Sequence, residues 1–187
     1  MRCFIALDLD ESIRTKLASA QELFRDLPGN TAWVKPEQIH LTVKFLGDVP
    51  DKKLNQAARL LEQCTQQVKA FDFSIGNLGA FPPSGRQIRV LWVGVNAPPD
   101  LSKLNELCEQ AFAELDIAPE TRTFSPHLTI ARIKYTAQAE DFRRVITQHA
   151  DFAAGTQIAD RVVLYASELQ PAGAVHTPLA TFPLRKR

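Results

Sequence analysis

The chain has 187 residues, 45% of them hydrophobic and 23% charged, and a net charge of +1. This length and composition are typical of one globular domain or two small lobes that bury a sizeable core. The balanced charge gives no overall signature of nucleic-acid binding, so any anion site must be a local group of basic residues.

The cysteines and the apolar runs predict the compartment. Cys3, Cys64 and Cys108 are odd in number, widely spaced and form no CxxC pair. This pattern argues against a disulfide framework or a zinc site and favours a reducing compartment. We find no signal peptide and no apolar run near the ~20 residues of a membrane span, which predicts a cytoplasmic protein without membrane contact.

The first half of the chain alternates between strands and helices. After the first strand, apolar residues recur at helical spacing until Pro28-Gly29 ends the pattern. The predicted elements are a strand at 2–9, a helix at 11–27, a strand at 39–45, a helix at 51–69 and a strand at 71–78.

The same order restarts after a Gly/Pro-rich stretch at 79–86. The predicted elements are a strand at 88–95, a helix at 100–115, a strand at 127–133, a helix at 138–149 and strands at 158–168 and 174–184. Arg2 and Arg89 open the two halves 87 residues apart. This architecture predicts two pseudo-symmetric α+β lobes with a cleft between them, in a single bilobal domain over 1–187.

A tetrapeptide occurs in both halves, again 87 residues apart: His40-Leu41-Thr42-Val43 and His127-Leu128-Thr129-Ile130. We call these the first and second HxT motifs. Because side chains alternate along a strand, each histidine should share a face with its threonine, while the aliphatic residues point into the core. If the two strands face each other across the cleft, two imidazoles and two hydroxyls converge on one ligand.

Two histidines suit the cleavage of a phosphodiester without a metal. A neutral imidazole takes a proton from the attacking oxygen, and an imidazolium gives one to the departing oxygen. The threonine hydroxyls can donate hydrogen bonds to the phosphoryl oxygens. A lone histidine on an apolar strand is more often a packing residue, but a matched pair favours catalysis.

These motifs and their surroundings resemble the two-histidine phosphoesterase superfamily, and within it the bacterial RNA 2′,3′-cyclic phosphodiesterases, also called 2′-5′ RNA ligases. The resemblance covers nearly the whole chain. The stretches that carry it are Arg2–Leu7, His40–Gly47, Arg89–Gly94, Pro126–Arg132 and Leu164–Leu169.

The resemblance implies a bilobal α+β fold of two antiparallel sheets with flanking helices, and a central cleft that receives one HxT strand from each lobe. It implies hydrolysis of an RNA-terminal 2′,3′-cyclic phosphate to a 2′-phosphate without metal, cofactor or ATP, and a reversible 2′-5′ ligation. By position, His40 is the proton donor, His127 the proton acceptor, and Thr42 and Thr129 hold the phosphate. The partner would be an RNA end, such as that of a tRNA fragment, and the duplication favours a monomer.

Two basic residues near the motifs are candidate phosphate contacts. Lys44 lies four residues after His40, so strand alternation predicts that it shares the face of His40; a solvated lysine is the alternative. Arg132 lies five residues after His127, so alternation places it on the opposite face unless a bulge redirects it. A surface salt bridge is the alternative for Arg132.

Four further residues are candidate contacts to the base or the RNA chain. Phe4 is either a stacking platform or a core residue. Arg86 and Arg89 border the Gly/Pro-rich loop, where solvated charge is the alternative. His176 stands where the family more often carries an aromatic residue, so it bears on the base side of the cleft.

Two other functions remain open from the residues. The same mechanism can act on a small cyclic nucleotide or on a 2′-5′-linked oligonucleotide. A non-catalytic module that binds nucleotides or RNA is the alternative from another class. Both histidines and both threonines are present, which counts against the non-catalytic module.

Overall fold

The computed structural model describes residues 1–136, 138–170 and 173–187. Its strands are β1 (Arg2–Leu7), β2 (Gly29–Trp33), β3 (Leu41–Asp48), β4 (Phe71–Phe81), β5 (Val90–Asn96), β6 (His127–Thr136), β7 (Ala153–Ala159), β8 (Arg161–Gln170) and β9 (Gly173–Pro183). Its α-helices are α1 (Glu11–Glu22), α2 (Leu54–Thr65), α3 (Pro99–Phe112) and α4 (Ala139–Gln148). Among these residues, no helix is both long enough and apolar enough to cross a membrane.

The strands form two antiparallel sheets, and each sheet contains one HxT strand. The first sheet has the order β3-β1-β8-β9, and the second has the order β2-β6-β5-β4-β7. β3 and β6, which carry the two motifs, also contact each other between the sheets. The α+β prediction with two antiparallel sheets is confirmed.

The two lobes are intertwined and do not correspond to the two halves of the sequence. In each sheet the HxT strand lies beside the opening strand of its own half, and strands from the other half complete the sheet. β8 and β9 complete the first sheet, whereas β4 joins the second sheet between β5 and β7. Each sheet therefore needs both halves of the chain.

The helices cross between the lobes as well. α1 follows β1 of the first sheet but packs against β6 and β7 of the second. α3 follows β5 of the second sheet but packs against β3 of the first, beside α2. α4 packs against β4, and Phe142 of α4 stacks on Phe24 at 6.1 Å between ring centroids. One continuous hydrophobic core results.

Some element boundaries differ from the sequence prediction. The sequence does not predict β2, because its residues are half-buried or exposed at the edge of the second sheet and show no clear alternation. The strand predicted at 158–168 is two strands, β7 and β8, that meet at Asp160. β4 continues to Phe81 through Gly79, where a Cβ atom would collide with the ring of Trp92.

Both HxT strands contain a β-bulge at the same motif position. In β3, Thr42 pairs with Ala6 while Lys44 pairs with Ile5, so Val43 is the extra residue. In β6 the strand pairing with β5 leaves out the corresponding Ile130. A bulge locally disrupts the ladder and changes the face that the following side chains occupy.

Candidate active site

Each motif histidine is anchored through one ring nitrogen. Nδ1 of His40 lies 2.8 Å from the carbonyl oxygen of Gln38, and Nδ1 of His127 lies 2.8 Å from that of Ser125. A carbonyl only accepts, so each neutral ring carries its proton on Nδ1 and donates it there. The lone pair of Nε2 remains for chemistry in both rings.

Within each motif the side chains alternate as predicted. Leu41 and Leu128 are fully buried, whereas each histidine and each threonine is half-buried. Opposite the threonines the cross-strand partners differ, because Thr42 faces Ala6 and Thr129 faces Trp92. The two motifs thus share a backbone arrangement but have different neighbours.

Lys44 does not share the face of His40, so that prediction is wrong. The bulge at Val43 shifts the alternation by one residue, and Lys44 is 3% exposed on the core side. Its Nζ lies 2.5 Å from Oε2 of Glu109 on α3. Lys44 therefore forms a buried ion pair between the first HxT strand and the helix behind it.

The corresponding bulge at Ile130 in β6 brings Arg132 onto the face of His127. Ile130 and Ala131 are both buried in succession, and Arg132 is exposed on the other side of the strand. Strand alternation alone places Arg132 on the opposite face unless a bulge intervenes, and the structure contains such a bulge. At the equivalent position of the first sheet stands Phe45, which is 66% exposed.

Aromatic rings enclose His40. Phe4 stacks on His40 at 4.6 Å and on Tyr165 at 5.2 Å between centroids, and His176 stands perpendicular to His40 at 5.1 Å. The hydroxyl of Tyr165 donates a hydrogen bond of 2.7 Å to Oδ1 of Asp8. Phe4 is only 3% exposed, so it packs beneath the histidine and leaves little surface for a nucleobase.

This enclosure changes the proton affinity of His40. Burial is the largest cause and lowers the pKa of His40 to about 4, and His176 and Arg14 add to the decrease through their charge. The Gln38 carbonyl and the Asp8 carboxylate act in the opposite direction. Burial also lowers the pKa of His176, whose Nδ1 has no hydrogen-bond partner among the described residues.

The surroundings of His127 are more open. Phe81 meets His127 edge-on at 5.4 Å, and Trp92 does so at 6.5 Å. Phe81 is 38% exposed, so this histidine has an aromatic neighbour that also faces solvent. The sequence pattern does not indicate Phe81, because this residue ends a strand that is expected to stop before the Gly/Pro-rich stretch.

The loop after Phe81 and the residue that follows it are tied to neighbouring elements, α4 and β6. Nη2 of Arg143 donates to the carbonyl of Gly85 at 2.7 Å, and Nη1 of Arg89 donates to the carbonyl of Lys134 at 3.2 Å. Arg86 is exposed on this loop. Contact of Arg86 and Arg89 with RNA stays a prediction.

The sequence does not reveal the anchoring carbonyls of Gln38 and Ser125. Every residue has a backbone carbonyl, so the residue types at these positions do not indicate an anchoring role. The only feature in the sequence that could have indicated it is the spacing of two residues before each histidine. Phe45 is visible within the first motif stretch, but its exposure depends on the bulge.

Comparisons with known proteins agree with this geometry. The family model of the 2′-5′ RNA ligase superfamily matches residues 10–170. The chain is 33% identical over 184 residues to the RNA 2′,3′-cyclic phosphodiesterase of Methanothermobacter thermautotrophicus, covering 98% of this chain and 99% of that protein. It is 32% identical over 176 residues to the enzyme of the same name from Methanocaldococcus jannaschii, covering 94% and 96%.

Solved structures share the whole fold. TT0787 of Thermus thermophilus superposes with a TM-score of 0.85 at 30% identity and full coverage of both chains. E. coli LigT complexed with 3′-AMP gives a TM-score of 0.75 at 25% identity, covering 98% of this chain and 97% of that one. With its paired HxT strands and this coverage, the chain belongs to the 2′-5′ RNA ligase superfamily.

Proposed function

We propose that the chain is an RNA 2′,3′-cyclic phosphodiesterase that hydrolyses the terminal cyclic phosphate to a 2′-phosphate by two-histidine catalysis without a metal. The observation that carries the proposal is the repeated histidine geometry. The Nδ1–H groups of His40 and His127 each donate a hydrogen bond to the carbonyl oxygen two residues earlier. Each histidine is also followed, two residues later, by a threonine on the same face. The names of relatives at about one-third identity support the same activity.

In the proposed step, Nε2 of His127 takes a proton from water, and the water oxygen attacks phosphorus. The bond from phosphorus to O3′ breaks, and Nε2 of His40 gives a proton to that oxygen. The phosphate stays on O2′. The carbonyls of Gln38 and Ser125 fix both rings, so that proton transfer requires no reorientation.

The hydroxyls of Thr42 and Thr129 donate to the phosphoryl oxygens as negative charge increases during attack. Arg132, brought to the face of His127 by the bulge, adds a positive charge on the same side. Charge-assisted hydrogen bonds of this kind are stronger than neutral ones. Lys44 has no part in this proposal because Glu109 holds its ammonium.

We propose that the same groups can also catalyse 2′-5′ ligation. If the 5′-hydroxyl of a second RNA replaces water, its oxygen attacks phosphorus, O3′ leaves with a proton, and a 2′-5′ linkage results. The step consumes no ATP because the strained ring supplies the driving force. Hydrolysis dominates in water because the competing 5′-hydroxyl is present at far lower concentration.

We also propose that the enzyme acts as a monomer in the cytoplasm on RNA ends such as tRNA fragments. One chain already contains both motifs, which favours a monomer. Cys3, Cys64 and Cys108 are free and buried, which favours a reducing compartment.

The decisive experiment incubates the protein with an oligoribonucleotide that ends in a 2′,3′-cyclic phosphate, in the presence of EDTA, and identifies the product. We expect a 2′-phosphate end. Adenosine 2′,3′-cyclic monophosphate and a 2′-5′-linked oligonucleotide serve as competing substrates, and we expect a lower kcat/KM for both. Loss of activity on chelation would contradict the metal-free mechanism. A higher kcat/KM for the mononucleotide than for the oligoribonucleotide would mean that small cyclic nucleotides are the preferred substrates.

A further inference from the structure

One buried amide side chain meets the extra residue of each β-bulge. Nδ2 of Asn105, on α3, donates to the carbonyl of Val43 at 2.8 Å. Nε2 of Gln21, on α1, donates to the carbonyl of Ile130 at 2.8 Å. Asn105 is 9% exposed and Gln21 is 1% exposed, so both contacts are made away from solvent.

These contacts supply a hydrogen-bond donor to the carbonyl that each bulge removes from the regular ladder. The extra residue of a bulge leaves the regular ladder, and its carbonyl needs another donor if it is buried. An unpaired buried carbonyl would favour a regular strand without the bulge. A regular strand would return Phe45 and Arg132 to the core side, because a shift of one residue exchanges the two faces.

Each amide comes from the opposite half of the duplicated chain. α1 belongs to the first half but reaches the second motif, and α3 belongs to the second half but reaches the first motif. This exchange follows from the crossed packing of the two helices. Neither half of the sequence contains both a motif and the amide that supports it.

We propose that Gln21 and Asn105 are positioning residues, each of which holds the bulge of one HxT motif and thereby fixes how its histidine and threonine lie relative to the side chain that follows the bulge, Arg132 or Phe45. The inference deepens the proposed function and rests on it for the kinetic arm of its test. The amides touch only the backbone of the motifs and take no part in proton transfer.

The two supports differ in strength. β3 is the edge strand of the first sheet, so Asn105 reaches Val43 from a side where no strand follows. β6 is flanked by β2, and the amide of Val34 also donates to the Ile130 carbonyl at 3.1 Å. Gln21 additionally donates to the Val34 carbonyl at 2.6 Å. Loss of Asn105 should therefore disturb its motif more than loss of Gln21.

The test compares Asn105→Leu and Gln21→Met, which keep much of the side-chain volume but remove the donor. Thr65→Val is the matched control, because Thr65 is 1% exposed and its hydroxyl bonds to the Glu62 carbonyl within its own helix. We expect kcat on the cyclic-phosphate RNA to fall by about 10²-fold for Asn105→Leu and by about tenfold for Gln21→Met, with little change in KM. Thr65→Val should keep kcat even where it lowers Tm.

The second readout is independent of turnover: imidazole nitrogen resonances of the folded proteins, with and without inorganic phosphate. Asn105→Leu should disturb the ring of His40, and Gln21→Met should disturb that of His127. Unchanged ring resonances, or a kcat loss no larger than that of Thr65→Val, would overturn the proposal.

Two further outcomes remain interpretable. If Asn105→Leu does not fold, Asn105→Ala removes the donor without a larger or charged side chain and gives the same comparison. If the wild-type protein fails to cleave cyclic-phosphate RNA, the proposed function fails, while the paired ring resonances still decide whether the amides position the motifs.

Discussion

The two HxT motifs share a backbone frame but have different environments. Both histidines use the carbonyl two residues earlier, and both motifs end in a bulge held by a buried amide. His40 is packed against Phe4 and His176, and burial lowers its pKa to about 4. His127 faces Phe81, which is partly open to solvent. The duplicated backbone therefore sets the direction of each ring, whereas the side chains around His40 bury it and lower its pKa.

This difference bears on the roles of the histidines. With a pKa of about 4, His40 is neutral at pH 7 in the free protein, yet the family resemblance makes it the proton donor. A bound phosphodiester brings a negative charge close to the ring, and an opposite charge favours the protonated form. In the proposed function His40 thus gains its proton together with the anionic substrate.

The largest expected effect comes from removing either motif histidine. His40→Ala and His127→Ala should each lower kcat/KM on cyclic-phosphate RNA by about 10²- to 10⁴-fold, since each removes a proton-transfer group. The matched control is His149→Ala at the end of α4, which should keep the wild-type rate. A double variant that retains activity would refute the mechanism.

A change of leaving group separates the two roles. An aryl phosphodiester such as bis(4-nitrophenyl) phosphate releases a phenolate that needs no proton. If His40 is the donor, His40→Ala should lose far less activity on this substrate than His127→Ala. The reverse order would exchange the roles and make the buried, neutral His40 the base.

The next prediction concerns the bulges, which place Arg132 on the exposed face and Lys44 on the core side. The two variants that test it are Arg132→Ala and Lys44→Met. Arg132→Ala should raise KM by about tenfold with little change in stability, because an exposed charge contributes about 1.4 kcal/mol to phosphate binding. Lys44→Met should leave KM unchanged but lower the free energy of unfolding by roughly 2–4 kcal/mol, because Glu109 loses its buried partner. Steady-state kinetics and urea denaturation of both variants measure the contrast. A raised KM for Lys44→Met with unchanged stability would contradict the assignment of the faces.

Lys44 and Arg132 also show how far sequence reasoning extends. Alternation places each histidine beside its threonine because that stretch of strand is regular. It fails after Val43 because a bulge depends on distant partners, and Asn105 lies 62 positions further along the chain. The order of strands in the sheets cannot be predicted from the sequence either, because it also depends on distant partners. The apolar pattern of β4 and β8 shows that they are strands but does not indicate which sheet they join.

The smallest expected effect concerns the perpendicular ring of His176. Burial is the largest cause of the lowered pKa of His40, and the charge of His176 adds to the decrease, so His176→Gln should raise that pKa. One limb of the kcat/KM profile reports the ionisation of His40 in the free enzyme, whichever role His40 has. The limb should therefore move to higher pH, with less than about a tenfold change in kcat/KM at any pH, because one pKa unit corresponds to about 1.4 kcal/mol.

The matched comparison for His176→Gln is His127, whose ring contacts Phe81 and Trp92 instead of His176. At a pH within the His40 transition, the proton resonances of the His127 ring should keep their chemical shifts, whereas those of the His40 ring should move. A shift of both rings would mean that His176 acts on the whole site through the fold. A shift of His40 alone would mean that the neighbours of the first motif set its proton affinity independently of the shared backbone.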